Sequence, residues 1–283
     1  MRSPTLAAIL GFALWLGAGE SRGQTVACDK LNPGARVAAA KLLARLHPYD
    51  GCDQSFSACL KQQPVPALVR RLADNLCRRV AAGQDSPAIT HWLSRRAQSL
   101  LPGGPKAAIT LADVPMAGDP RAPLVVVEYA CARCPYCAKL TPWLKEAVER
   151  GDLQGKARLY LKLYPNRDHA FSREAALAFL AAQRLGKFWE YAAIGFREFQ
   201  QFSPSRLPEW AGQAGLDRAA FESQMKDPAL EQALLAIKKE GILLKVDATP
   251  TLVIDGRRYL GDLSQEELLD VLQEAAEAPR PRP

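Results

Sequence analysis

Apolar positions recur along this chain with two periods, and the change between them divides it. Val37 to Leu46 (V-A-A-A-K-L-L-A-R-L) reads as a helix, ended by His47-Pro48 and Gly51. Two further helices are predicted at roughly Pro66 to Ala81 and Ser86 to Leu100. Leu68, Leu72, Leu76 and Val80 recur every four residues, as do Ile89 and Leu93, so each set lines one helical face. Ser86-Pro87 reads as a helix start, a capping hydroxyl followed by proline where no N–H is needed. Past Leu101 the pattern lapses. Prolines and glycines between Pro102 and Pro123 mark a linker, with a first strand predicted at Ala108 to Leu111.

The period then shortens. Val125 to Ala130 is a short apolar run rich in β-branched residues, as a buried strand requires. It breaks at C-A-R-C-P-Y-C, residues 131–137, and a helical pattern follows through Leu140 and Leu144 to Val148. Arg158 to Leu163 gives another strand. Helices are predicted at Phe171 to Gln183 and Phe188 to Phe199, then from Glu209 and from Asp217. Asp227-Pro228 opens one more, running to Lys239 and halted at Gly241. Thr251 to Ile254, the turn Asp255-Gly256 and Arg257 to Leu260 form a hairpin pattern. Ser264 with Glu267 reads as a capping box for a last helix through Leu272.

The chemistry-bearing stretch is Cys134-Pro135-Tyr136-Cys137, two cysteines separated by two residues between a strand and a helix. That placement reads as a thioredoxin-like redox pair. A cysteine at the first turn of a helix faces orphan N–H groups and the positive end of the helix dipole, so its thiolate is stabilised. Cys137, one turn further, faces the same side and can close a short disulfide. A structural disulfide or half of a metal site would use the same spacing. A zinc site, however, wants a second cysteine pair or histidines, and His47, His91 and His169 all lie away from the motif in sequence.

Composition narrows the setting. The chain has 283 residues, 48% of them hydrophobic, and a formal charge of +7. The basic residues are scattered through helices that also carry apolar stripes, without an aromatic-and-basic groove, so nucleic-acid binding is not expected. Arg2, the apolar segment Leu6 to Leu16 and the small residues after it read as a signal peptide, too short for a membrane span. Cleavage after Ala27 would expose Cys28 as a lipoprotein site, but Thr25 and the polar stretch before it argue against lipidation. Export to an oxidising compartment permits disulfides. Cys28, Cys52, Cys59 and Cys77 are structural disulfide candidates whose pairing stays open. Cys131 is left over; it is either a passive buried thiol or one that pairs and gates the site.

These features together resemble the DsbA-like branch of thioredoxin-superfamily thiol–disulfide oxidoreductases, over about residues 106–275. Cys134-Pro135-Tyr136-Cys137 matches the active-site pair, Thr249-Pro250-Thr251 the cis-proline loop, and the helical block between them the inserted domain. The resemblance implies an α/β thioredoxin-like fold with a helical insertion at about 168–243. Cys134 would be the attacking thiolate and Cys137 the resolving cysteine. Pro250 would be cis, bringing its loop against the sulfurs, and Thr249 would pair with a substrate strand beside Pro135 and Tyr136. Glu128 would be the buried acid that relays the Cys137 proton; its alternative is a surface glutamate. Lys162 is a candidate charge partner for it, and Pro142 would be a structural helix proline. Tyr136 stands where the strong oxidants of the family carry histidine, which points to a less oxidising pair. Residues 52–99 have a weaker likeness to the helical redox module of cytochrome c maturation. There, however, the cysteines lie two apart, not six, so no redox role is carried over.

The expected organisation is a signal peptide at 1–19, a disulfide-containing all-helical domain at 28–101, a linker at 102–123, the thioredoxin-like domain at 124–276 and a frayed tail at 277–283. The expected activity is a periplasmic protein thiol–disulfide oxidoreductase needing no metal and no organic cofactor. Its partners would be protein thiols and disulfides, a membrane or periplasmic redox protein, and a second copy through the N-terminal domain. The alternatives are a reductase or isomerase, serving cytochrome c assembly, and a non-catalytic peptide-binding module.

Overall fold

The computed structural model describes residues 26–101 and 106–278. Residues 1–25, which include the expected signal peptide, residues 102–105 and the expected tail from 279 to 283 lie outside them. The N-terminal unit is helical: α1 (Val26–Asp29), α2 (Pro33–Arg45), α3 (Phe56–Cys59), α4 (Ala67–Ala81) and α5 (Ser86–Leu100). Its core gathers Phe56, Val69, Leu72, Leu76, Ile89 and Trp92, so the four-residue stripe on α4 is indeed the buried face. Two disulfides staple it, Cys28–Cys77 and Cys52–Cys59. The Cys28 sulfur is thereby engaged in a bond to α4. Helix α2 starts four residues earlier than the apolar pattern, because Asn32 accepts from the Ala35 N–H and Pro33 follows as the first helical residue. The cap of α5 is Asp85, which accepts from the Ala88 N–H, and not Ser86.

The second unit contains β1 (Met116–Gly118), β2 (Leu124–Ala130), α6 (Pro135–Glu149) and β3 (Ala157–Leu163). A helical insertion follows: α7 (Ser172–Arg184), α8 (Phe188–Arg197), α9 (Leu207–Gln213), α10 (Arg218–Met225) and α11 (Pro228–Leu243). The chain closes with β4 (Thr251–Ile254), β5 (Arg257–Arg258) and α12 (Gln265–Glu277). The strands order as β1-β3-β2-β4-β5, with β2 and β3 parallel and the other pairs antiparallel. This is a thioredoxin-like α/β fold carrying a helical insertion and preceded by a disulfide-bonded helical unit.

Several local readings are corrected. No strand forms at Ala108 to Leu111; the edge strand is Met116–Gly118, later in the same linker. Residues near 110 are held instead by side-chain and turn contacts, with the Thr110 N–H donating to Glu240. Gly241 does not stop α11. It lies inside the helix and admits the Tyr164 ring, whose Cε2 would stand 2.3 Å from a Cβ there. The capping box at Ser264 does not form; Glu267 is turned away and buried against the N-terminal helices. Four donors draw it there, Trp92 Nε1 at 2.8 Å, Arg96 at 3.1 Å, Arg79 at 3.1 Å and the Asn75 amide.

Candidate active site

The parallel pairing of β2 with β3 brings Ala130 opposite Leu163, so the loops after both strands leave at one end of the sheet. Strand β4 runs antiparallel to β2, with Thr251 opposite Tyr129, so the loop before β4 reaches the same end. Three segments distant in sequence converge there: residues 131–137, the turn at 164–171, and Thr249-Pro250. Ligands in open α/β sheets gather at this carboxyl end for the same reason.

Cys134 occupies the N-cap of α6 and Pro135 its first position. Cys134 is 1% exposed, and its sulfur lies 3.2 Å from the Thr249 carbonyl. The Thr249–Pro250 peptide is cis, and Pro250 is buried. The Thr249 hydroxyl is buried with no other hydrogen-bond partner and faces the same sulfur. The Cys137 thiol donates to Cys134, the Tyr136 and Cys137 N–H groups point at it, and these outweigh burial to lower the Cys134 pKa to about 5. Cys137 is fully buried; burial first, then its bond to Cys134, then the Glu128 and Cys134 charges push its pKa well up. The two sulfurs therefore hold opposite protonation states at neutral pH. Tyr136, between them, is 71% exposed.

Glu128 is fully buried on the α6 face of the sheet. Its Oε1 accepts from the Thr141 hydroxyl at 2.8 Å, and its Oε2 has no partner. Burial raises its pKa to about 8, with Thr141 opposing and Cys134 adding to the rise. The Lys162 pairing fails. Lys162 sits opposite Tyr129 in the register and Leu161 opposite Glu128, so lysine and glutamate face opposite sides of the sheet. Lys162 pairs with Glu240, which also accepts from Tyr129. Thr141, seven residues beyond Cys134 and thus on the same helical side, is the partner that strand pattern alone did not identify.

His169 also enters the site. Its Nδ1 stands 3.4 Å from Cys131 Sγ, although 38 residues separate them and no local pattern marks the pair. Arg133 stacks on Phe202 at 4.1 Å and on Phe199 at 5.0 Å, tying the cysteine loop to the insertion. Among the described residues, no three His, Cys, Asp or Glu side chains are arranged to hold a metal ion.

A strand, a Cys-Pro-Tyr-Cys helix start, a cis-proline loop and a helical insertion define the fold of the DsbA-like thiol–disulfide oxidoreductases. A family profile described as thioredoxin matches residues 111–274. The chain belongs to the thioredoxin family. Solved structures with this fold include a thioredoxin-like oxidoreductase from Silicibacter pomeroyi DSS-3 (24% identity, TM-score 0.51, 59% of this chain and 95% of that one). BdbD from Bacillus subtilis superposes at 17% identity and TM-score 0.54, over 61% and 98% of the two chains. The catalytic domain of Proteus mirabilis ScsC does so at 18% and 0.52, over 59% and 91%. Curated relatives include the Na(+)/H(+) antiporter NhaA 3 of Salinispora tropica, 30% identical over 213 residues. That match covers 69% of this chain and 32% of the antiporter. The chain thus spans about a third of the length of that relative. Among the described residues, no helix is long and apolar enough to cross a membrane. The likeness of residues 52–99 to a cytochrome c maturation module gains nothing from these matches.

Proposed function

We propose that this chain is an exported oxidoreductase that exchanges disulfides with protein substrates through a mixed disulfide at Cys134. The observation that carries this reading is the contrast between the two sulfurs: Cys134 is held as a thiolate at a helix start, and Cys137 is held protonated behind it. In the oxidised enzyme, a substrate thiolate attacks Cys134 Sγ and Cys137 leaves, taking a proton. A second substrate thiolate then displaces Cys134, which departs as the stabilised thiolate while the substrate gains the disulfide. In the reverse direction the Cys134 thiolate attacks a substrate disulfide, and Cys137 resolves the adduct once it has lost its proton.

Glu128 would carry that proton; supporting this, it is buried, has one oxygen without a partner and feels both sulfurs. Thr249 and Pro250 would line a substrate strand, with exposed Tyr136 and the half-exposed Phe171 as its apolar contacts. No cofactor is called for, and turnover needs a second redox protein. The N-terminal disulfides fit an oxidising compartment such as the periplasm. A homodimer through that unit would use the side away from α12, because α4 and α5 are already packed on that helix.

The test is the reduction potential of the mature protein in glutathione buffers, with mass mapping of its seven cysteines. Sulfurs between 131 and 137 should titrate reversibly while the two N-terminal disulfides stay bonded. A value of about −120 to −180 mV marks an oxidant or isomerase, and about −250 mV or lower a reductase. If Cys134 does not titrate, or Cys134→Ser leaves the cellular role intact, the chain is a peptide-binding module and the proposal is wrong.

A further inference from the structure

Cys134 has a cysteine three residues ahead of it as well as three behind. Cys131 follows the last residue of β2 and opens a turn whose fourth residue is Cys134, closed by the Cys134 N–H donating to the Cys131 carbonyl at 3.0 Å. Such a turn holds its first and fourth Cα atoms within about 7 Å, and disulfides span about 4.4–6.8 Å between Cα atoms. The turn therefore sets a Cα spacing that a disulfide can span. Cys131 is not a passive core thiol in its surroundings either. The His169 imidazole lies 3.4 Å from its sulfur, and His169 is only partly buried, so a proton taken from the thiol can pass to solvent.

We propose that Cys131 is a second resolving thiol which, with His169 as its base, attacks a disulfide at Cys134 and converts it to a Cys131–Cys134 bond. This rests on the proposed function, because it requires a disulfide at Cys134. The step balances. His169 takes the Cys131 proton; the thiolate attacks Cys134 Sγ; the Cys131–Cys134 bond forms as the bond from Cys134 to its former partner breaks. That partner, a substrate sulfur or Cys137, leaves with the electron pair and is protonated. With a substrate adduct, the enzyme pair is oxidised and the substrate sulfur reduced. With Cys137 as leaving group, one internal disulfide replaces another and no external oxidant is needed.

Electrostatics favours the timing. In the reduced protein burial first, and the Cys134 charge after it, hold Cys131 protonated, against the Asn166 and Arg133 backbone N–H groups and the Arg133 charge. Once Cys134 is in a disulfide its charge is gone, and Cys131 becomes easier to deprotonate when there is a bond for it to attack. The consequence for function is a choice of two oxidised forms. One holds Cys137, and the other leaves Cys137 free as a thiol beside Glu128.

The experiment uses the mature Cys137→Ala protein and the chromogenic disulfide DTNB, with intact-mass readout. Attack by Cys134 releases one equivalent of thionitrobenzoate. A resolving Cys131 then releases a second equivalent and leaves a protein two hydrogens lighter with no adduct. Cys131→Ala/Cys137→Ala should stop at one equivalent with a stable adduct. His169→Ala in the Cys137→Ala background should slow the second release relative to the first by roughly tenfold or more. A stable adduct on Cys137→Ala, or two adducts without an internal disulfide, overturns the proposal while leaving the Cys134 chemistry standing. Absence of the first release instead removes the proposed function itself. Should the variants fail to fold, acid-quenched, alkylated wild-type oxidised protein decides: peptides joined through Cys131 and Cys134 support the step, and Cys134–Cys137 peptides alone refute it.

Discussion

Glu128 holds its proton to about pH 8 because burial penalises the carboxylate and the Cys134 thiolate repels it. In the unfolded chain the same group ionises near its ordinary value of 4.5. Folding therefore loses stability as pH rises between those two values, by up to about 1.4 kcal/mol per pH unit. Glu128→Gln should remove that slope, so the variant becomes more stable relative to wild type from pH 4.5 to pH 8 in denaturant titrations of the reduced protein. The same variant should resolve mixed disulfides more slowly, which separates a proton-carrying role from a packing one. Cys134 has the opposite linkage. Its folded pKa is about 5 against an ordinary 9.0, so the reduced protein gains stability across that interval as pH rises and loses it on acidification. Thiolate absorbance should titrate with a midpoint near 5 in wild type, and replacing Cys137 with Ala should move it upward by removing the largest stabilising hydrogen bond.

At the scale of the element, α6 and α11 show how far residue types determine helices. The start of α6 was legible, since proline at its first position and the apolar stripe agree with the observed span Pro135–Glu149. Pro142 lies inside that helix without ending it. The end of α11 was misread because glycine stops helices only where the backbone must turn to positive φ or meet water. Gly241 does neither; it is buried under Tyr164, whose hydroxyl donates to the Val246 carbonyl at 2.9 Å. Gly241→Ala forces its methyl into that ring. We expect a loss of about 1–3 kcal/mol, as for an overpacked core, despite the better helix propensity of alanine. Thermal unfolding would check this; a stabilised variant would mean that the ring yields without cost.

At the scale of the whole molecule, the helical unit and the thioredoxin-like unit are joined by buried charge. Arg96, fully buried on α5, pairs with Glu267 at 3.1 Å, Asp270 at 3.0 Å and Glu274 at 2.7 Å along α12. Trp92 and Arg79 add to the same carboxylates. Removing Arg96 strips three carboxylates of their shared buried cation, although Glu267 keeps Trp92, Arg79 and Asn75; breaking a buried ion pair in this way costs about 3–5 kcal/mol. Arg96→Ala should therefore lower the unfolding midpoint sharply and make α5 easier to cleave by limited proteolysis. Arg96→Met with Glu267→Gln and Glu274→Gln should recover much of the loss. Cys134 reactivity toward DTNB is expected to persist in the rescued protein, because the cluster lies on the α12 side and not at the cysteine end.

Local sequence was enough for the features whose physics is local. The strand before the cysteines, the helix they open, the Asp255-Gly256 turn and the stripe on α4 each depend on neighbours within a few residues. The order of Cys-Pro-Tyr-Cys and Thr-Pro along the chain identified the fold. Tertiary structure alone decided which groups meet. It chose Cys28–Cys77 and Cys52–Cys59 among three pairings, gave Glu128 to Thr141 and not Lys162, and drew Glu267 from a cap into an ion cluster. It also placed His169 against Cys131. Each of these depends on strand register or on helices packed across large sequence separations. A side chain's own neighbours in sequence carry no record of which partner will lie across the sheet.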